Sequence, residues 1–119
     1  MFNQPKKIIK NWGYELIIDN NENYCGKILH MKTDSKFSMH FHMIKEETWF
    51  VKSGKFKFNW IDTNNATKNQ KILNEGDVIK IKPGTPHQLV CTEEGDIFEV
   101  STTHFDNDSY RIEKGDSQM

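Results

Sequence analysis

His40-Phe41-His42-Met43-Ile44-Lys45-Glu46-Glu47-Thr48-Trp49-Phe50-Val51-Lys52-Ser53-Gly54 is the stretch on which the reading of this chain turns. His40 and His42 stand two apart in a predicted strand, so both side chains leave the same face. Glu47 opens the next predicted strand and can return to the same point after the Met43–Glu46 connection. A third histidine, His87, begins a strand directly after the tight turn Pro83-Gly84-Thr85-Pro86. Any one of these histidines alone would more often be structural or simply solvated. Taken together, three imidazoles and a carboxylate form a donor set for a divalent transition metal ion, Zn, Mn, Fe, Ni or Co, rather than for Mg or Ca. Four protein ligands on an octahedral ion leave about two positions open for water or substrate.

Working outward, nearly every segment reads as a short strand closed by a turn. Tyr14–Ile18, Tyr24–Met31, Lys36–His42, Glu47–Lys52, Lys55–Ile61, Lys68–Leu73, Val78–Lys82, His87–Thr92, Ile97–Thr102 and Tyr110–Glu113 are β-branched, aromatic or alternating. Clusters of Asn, Asp, Gly and Pro separate them, and Gly54 supplies the turn between two halves of a hairpin. No helical period of any length interrupts the series. An all-β sandwich or barrel follows. The 119 residues suit one domain, with a core at about 12–113 and residues 114–119 as a frayed polar tail.

Composition narrows the function classes. The 16 basic and 17 acidic residues are interspersed and the net charge is −1, so no basic face recommends nucleic acid as a partner. Cys25 and Cys91 lie too far apart for a CxxC and read as buried thiols in a reducing compartment. No apolar run approaches the ~18 residues of a membrane helix, and the polar N-terminus does not read as a signal peptide. The expectation is a cytoplasmic protein acting on a small molecule, and a homodimer on the general ground that open sheet edges are a liability.

The run from His40 to Gly54 resembles the first cupin motif, HxHx4Ex6G, and Gly76-Asp77-Val78-Ile79-Lys80-Ile81-Lys82-Pro83-Gly84-Thr85-Pro86-His87 resembles the second, Gx5PxGx2H. Pro83 comes one residue late, and Cys91 stands where the family usually has Asn. The resemblance implies a cupin-type double-stranded β-helix, a jelly-roll barrel, whose metal ligands are His40, His42, Glu47 and His87. Glu46 is then a solvated neighbour. Trp12-Gly13, the Pro-Gly-Thr-Pro-His string at 83–87, and Glu99-Val100-Ser101-Thr102 with Asp106–Asp108 and Arg111 are similar to the cupin domain of type II mannose-6-phosphate isomerases. That likeness implies a carbohydrate substrate and aldose–ketose isomerisation.

Three further residues are candidates for the site. Glu99 lies mid-strand in an apolar run, where a buried carboxylate would serve as a base. Trp49 shares a face with Glu47 and would offer a flat ring to a sugar. Arg111, the one arginine beside 15 lysines, would grip a carboxylate or phosphate. Phe56, Phe58 and Trp60 read as core, and His104 and His30 have weaker claims on function. The same ligand shell also suits an Fe(II)-dependent dioxygenase or a non-catalytic small-molecule binding module.

Overall fold

A computed structural model describes all 119 residues. Eleven strands follow one another: β1 (Lys6–Lys10), β2 (Gly13–Asn20), β3 (Cys25–Met31), β4 (Met39–Phe41), β5 (Glu47–Val51), β6 (Lys55–Asp62), β7 (Thr67–Leu73), β8 (Val78–Ile81), β9 (His87–Glu93), β10 (Gly95–Ser101) and β11 (Tyr110–Glu113). They form two antiparallel sheets, ordered β1-β2-β3-β10-β5-β8 and β11-β4-β9-β6-β7. This is the all-β jelly roll expected. The only helical element is a single 3-10 turn at Asp116–Gln118, and no helix is long and apolar enough to cross a membrane.

Strand alternation decides what lies between the sheets. Along β3, Cys25, Lys27, Leu29 and Met31 point inward while Gly26, Ile28 and His30 point out. Inter-strand register then sorts the interior into levels. Leu29, Ile97 and Val51 align at one level, and Lys27, Glu99 and Trp49 align at the next. Cys25, Ser101 and Glu47 form the level beyond. One end of the barrel is therefore dry, filled by Met31, Val51, Phe56, Leu73, Leu89, Cys91 and Ile97. The other end gathers Lys27, Glu47, His87 and Glu99, all buried. Packing at the dry end fixes the strands that carry the ionisable groups at the wet one.

Three features depart from the sequence reading. Lys6–Lys10 forms β1 and pairs with β2 over its whole length, although its lysine content masks the pattern. A polar edge strand of this kind is hydrogen-bonded on one side only and carries little apolar signal. The expected strand Lys36–His42 is regular only at Met39–Phe41, because Lys36 makes an isolated bridge to Val90 and the Gln88 side chain donates to the Phe37 carbonyl. The tail is not frayed. Asp116 exchanges hydrogen bonds with the Lys36 backbone, and the Asn11 N–H donates to Ser117 Oγ. Gly115 lies so close to the Phe37–Ser38 backbone that no Cβ would fit.

Gly54, at φ 85° in the β5–β6 hairpin, meets a second constraint besides its backbone conformation. A Cβ there would collide with the Glu93 carbonyl, so both the turn and the close approach require glycine. At the dry end, truncating the fully buried Phe56 to alanine should cost about 3–5 kcal/mol of unfolding free energy. Denaturant titration of Phe56→Ala checks this, and a change below about 1 kcal/mol would mean that this end is not the packed core.

Candidate metal centre

His40 lies on β4 and His42 just beyond it, while His87 opens β9 directly opposite His40. The potential ligand atoms of the three histidines all lie within 4.8 Å of one another. Each ring is oriented by the same device. Nδ1–H of His40 donates to the Ser38 carbonyl at 2.8 Å, that of His42 to the Asp108 carbonyl at 2.7 Å, and that of His87 to the Thr85 carbonyl at 2.8 Å. A carbonyl only accepts, so the proton sits on Nδ1 and the Nε2 lone pair is left free. The tautomer is fixed before any ion arrives.

Glu47 completes the cluster. Its Oε2 lies 3.4 Å from His87 Nε2 and 3.7 Å from His42 Nε2. Its Oε1 is held from behind by Trp49 Nε1 at 3.3 Å and by the Lys45 ammonium at 3.5 Å. Glu47 Oε2 and His87 Nε2 are buried and have no hydrogen-bond partner. Leaving such groups unsatisfied costs about 1–3 kcal/mol each. A cation among them would relieve both, so the residues fit a metal ion.

The protonation states fit as well. Burial takes His40 down to about 3, and burial also lowers His42. Burial pushes the Glu47 carboxyl upward, yet the group is held well below the usual carboxylate range, with the Lys45 ammonium 3.5 Å away favouring its charged form. Neutral imidazoles at His40 and His42 beside an ionised carboxylate are what a divalent ion requires of its ligands.

Two residues that the sequence did not point to organise this cluster. The Asp108 carboxylate accepts the backbone N–H groups of Met43, Ile44 and Lys45 at 2.9–3.1 Å, while its own carbonyl aims His42. One residue thus fixes both the β4–β5 loop and a ring on that loop's edge. Lys45, within the Met43–Glu46 connection, is 3% exposed and lies 2.9 Å from Glu99 Oε2. These contacts join residues more than 50 positions apart, and no local pattern announces them.

Glu99 points inward on β10, beside Lys27 in register, and Lys27 pairs with Glu15 at 3.4 Å. Burial and the negative charge of Glu47 push the Glu99 carboxyl up to about 7, against the pull of Lys45. Trp49 is more enclosed than its sequence position alone suggests. It is 1% exposed, with Phe37, Phe58 and His87 packed edge-on around it. Trp49 nonetheless contributes to the cavity wall, and its indole N–H donates to Glu47. Arg111 is the register neighbour of His40 on β11, lines the cavity and engages no carboxylate. His104 accepts a hydrogen bond from Lys45 at 3.3 Å, and burial with the charges of Lys27 and Lys45 lowers it to about 4. His30 lies on the outer face between Asp96 and Glu94, remote from the cluster.

His40, His42 and Glu47 open onto a cavity of about 350 Å³ whose walls include Lys27, Lys45, Glu99, His104, Arg111 and Gln118, while His87 is buried behind them. Most of this lining is polar or charged, which suits a small hydrophilic ligand.

Residues 27–104 match the cupin domain family, and that stretch contains both histidine motifs. The chain belongs to the cupin family. Cys91, which replaces the usual Asn, is an inward-facing part of the dry core in this cupin, so the substitution leaves the metal-facing end intact. A mannose-1-phosphate guanylyltransferase, RfbM of Salmonella typhimurium, is 28% identical over 90 residues, which are 74% of this chain and 17% of that protein. This cupin therefore spans only a small part of that relative. Bacillus subtilis oxalate decarboxylase superposes with a TM-score of 0.79 over 91% of this chain and 30% of its own, at 18% identity. The capsular polysaccharide assembling protein CapF of Staphylococcus aureus gives 0.79 over 94% of this chain and 33% of its own, also at 18% identity. At that identity the likeness speaks to the fold alone.

The Asp108 arrangement generates a sharp expectation. Asp108→Ala should weaken metal binding by about 10–100-fold, because the carbonyl that aims His42 loses its anchor. Thr102→Val removes a hydrogen bond to Glu46 in the same loop without touching a histidine, and should leave affinity near the wild-type value. Calorimetric titration of the folded variants with Mn and Zn decides; equal losses in the two would reduce Asp108 to a loop staple.

Proposed function

We propose that His40, His42, Glu47 and His87 hold one divalent transition metal ion, and that the cavity beside it isomerises a small open-chain sugar or sugar phosphate. The observation that carries the reading is the buried Lys45–Glu99 pair, 2.9 Å apart, on the wall of the cavity onto which His40, His42 and Glu47 open. When bound, the ion supplies Lewis-acid polarisation of a carbonyl and its neighbouring hydroxyl. The rest falls to the chain's own side chains.

A carboxylate poised near 7 is matched to taking a proton at physiological pH. Glu99 removes the proton from the hydroxyl-bearing carbon next to the carbonyl and returns it to the carbonyl carbon, while the hydroxyl proton passes to the former carbonyl oxygen, so that aldose and ketose interchange. Lys45 keeps its ammonium charge, since Glu99 and Glu47 more than offset its burial, and it steadies Glu99 in the ionised state. Arg111, unpaired beside His40, takes a phosphate or carboxylate on the far end of the ligand. The relative named for mannose-1-phosphate chemistry supports a sugar phosphate as the ligand class. The oxygenase alternative has only the ligand shell in its support. A binding module would use the same cavity without the proton transfer. We further propose that the chain works as a homodimer.

The test is exchange of the substrate's α-proton with solvent deuterium in the metal-loaded protein, followed by NMR over a panel of aldoses, ketoses and their phosphates. Exchange should be independent of oxygen, and kcat/KM should rise with pH through about 7 as Glu99 deprotonates, then level off. Glu99→Gln should lower kcat by at least about 100-fold and abolish that rise. Binding without exchange across the panel would leave a sugar-binding module, and oxygen uptake dependent on Fe(II) would favour the oxygenase.

A further inference from the structure

The loop after β10 holds two carboxylates that the fold treats in opposite ways. Asp108 is 3% exposed and accepts the backbone N–H groups of Met43, Ile44 and Lys45. Asp106, two residues earlier, has a fully exposed side chain whose carboxylate meets a single partner, His104 Nε2 at 3.1 Å. Both His104 and Asp106 line the cavity onto which His40, His42 and Glu47 open.

His104 is anchored where Asp106 is not. Its backbone N–H donates to Asn20 Oδ1 at 2.9 Å, and its carbonyl accepts from Asn20 Nδ2 at 3.0 Å. Thr103 Oγ1 donates to the Asn21 carbonyl, and the Thr102 N–H donates to the Glu46 carbonyl. Three consecutive residues are thereby tied to two neighbouring segments. The ring is set as firmly. An ammonium only donates, so Lys45, 3.3 Å away, gives a hydrogen to Nδ1 and leaves the imidazole proton on Nε2. Burial and the charges of Lys27 and Lys45 keep this ring neutral. It lies edge-to-face with His42, the ring centres 6.2 Å apart. The outcome is a fixed N–H donor on the cavity wall, beside one of the rings of the histidine cluster.

Asp106 satisfies that donor weakly. A pair with one fully exposed member contributes little, because water competes for the carboxylate and the side chain loses rotamer freedom in holding it. Nor does the fold need the contact, since the Asp106 carboxylate anchors no backbone group, in contrast to Asp108. An oxygen of a ligand inside the cavity would meet the same N–H away from bulk water, where a hydrogen bond is stronger. What displaces a carboxylate from an N–H donor is another acceptor with full or partial negative charge. A carboxylate or a polarised carbonyl meets that description.

We propose that His104 is a ligand-binding donor of the cavity, whose Nε2–H takes a carboxylate or carbonyl oxygen of the ligand, and that Asp106 is an internal stand-in which the ligand displaces. This role rests on the metal-loaded cavity proposed above and is independent of isomerisation.

Calorimetric titration of the Mn-loaded protein with acetohydroxamate tests it, with metal content and circular dichroism measured in parallel. The probe offers two adjacent oxygens to a metal ion, one of them a carbonyl oxygen open to a further donor. The wild type should bind it. His104→Ala should weaken binding about three- to tenfold, as the loss of one hydrogen bond does, and His104→Gln, which restores a side-chain N–H, should recover most of the loss. Asp106→Ala should tighten binding about two- to fivefold, because the competing exposed pair is gone. In the His104→Ala background the same change should have no effect. A histidine with only a structural role gives neither that gain nor its dependence on the ring. Affinity indifferent to both substitutions, a gain from Asp106→Ala that persists without His104, or a metal-loaded wild type that fails to bind the probe would each overturn the assignment and leave the metal site standing. A folded wild type that holds no metal would overturn both.

Discussion

A buried carboxylate oxygen and a buried imidazole nitrogen face each other across 3.4 Å with no hydrogen bond between them. Water would normally satisfy both, and a protein interior tolerates such groups only where something else does. The surrounding structure is arranged around this pair. Backbone carbonyls hold three rings with their free nitrogens inward, and Lys45 and Trp49 grip the far oxygen of Glu47. The dry half of the barrel, from Met31 to Ile97, supplies the packing that keeps those strands in register. Remove the demand of that pair and the level structure of the interior has no chemical purpose.

The charges nearby extend the same logic outward. Glu47, Lys45 and Glu99 alternate in sign along the cavity wall, and Lys27 with Glu15 continues the alternation towards the mouth. Alternation lets four or five ionisable groups share a low-dielectric space without a large unpaired charge. It also sets the carboxyls apart: Glu47 is driven well below the ordinary range and Glu99 up to about 7. Two carboxylates whose environments push them in opposite directions are suited to different work, and the proposed function assigns Glu47 to an ion and Glu99 to a proton.

Much of this was legible in the sequence, and the exceptions have a common cause. His40 and His42 could be placed on one face from spacing alone, and Glu47 and His87 from the turns that precede them, because strand parity is a local property. The strand series was legible for the same reason, apart from β1, where lysines conceal a paired edge. The face occupied by Glu99 depended on register with β3 and β5, which no local pattern specifies. Lys45, Asp108 and the Asp116 clasp on Lys36 act through contacts between distant segments and between side chain and backbone, so their residue types alone carry no signal. Sharing a face with Glu47 placed Trp49 at the site, where its buried indole N–H donates to that carboxylate, a contact that the residue type alone does not announce.

The most direct measurement is elemental analysis of protein purified without a polyhistidine tag, set beside a folded His40→Ala/His87→Ala double variant. The account predicts about one divalent transition metal ion per wild-type chain and essentially none in the variant. A folded wild type that takes up no metal, even after reconstitution with Mn, Fe, Co, Ni and Zn, would contradict it. The histidine cluster would then be a feature of the barrel interior with no ion to hold.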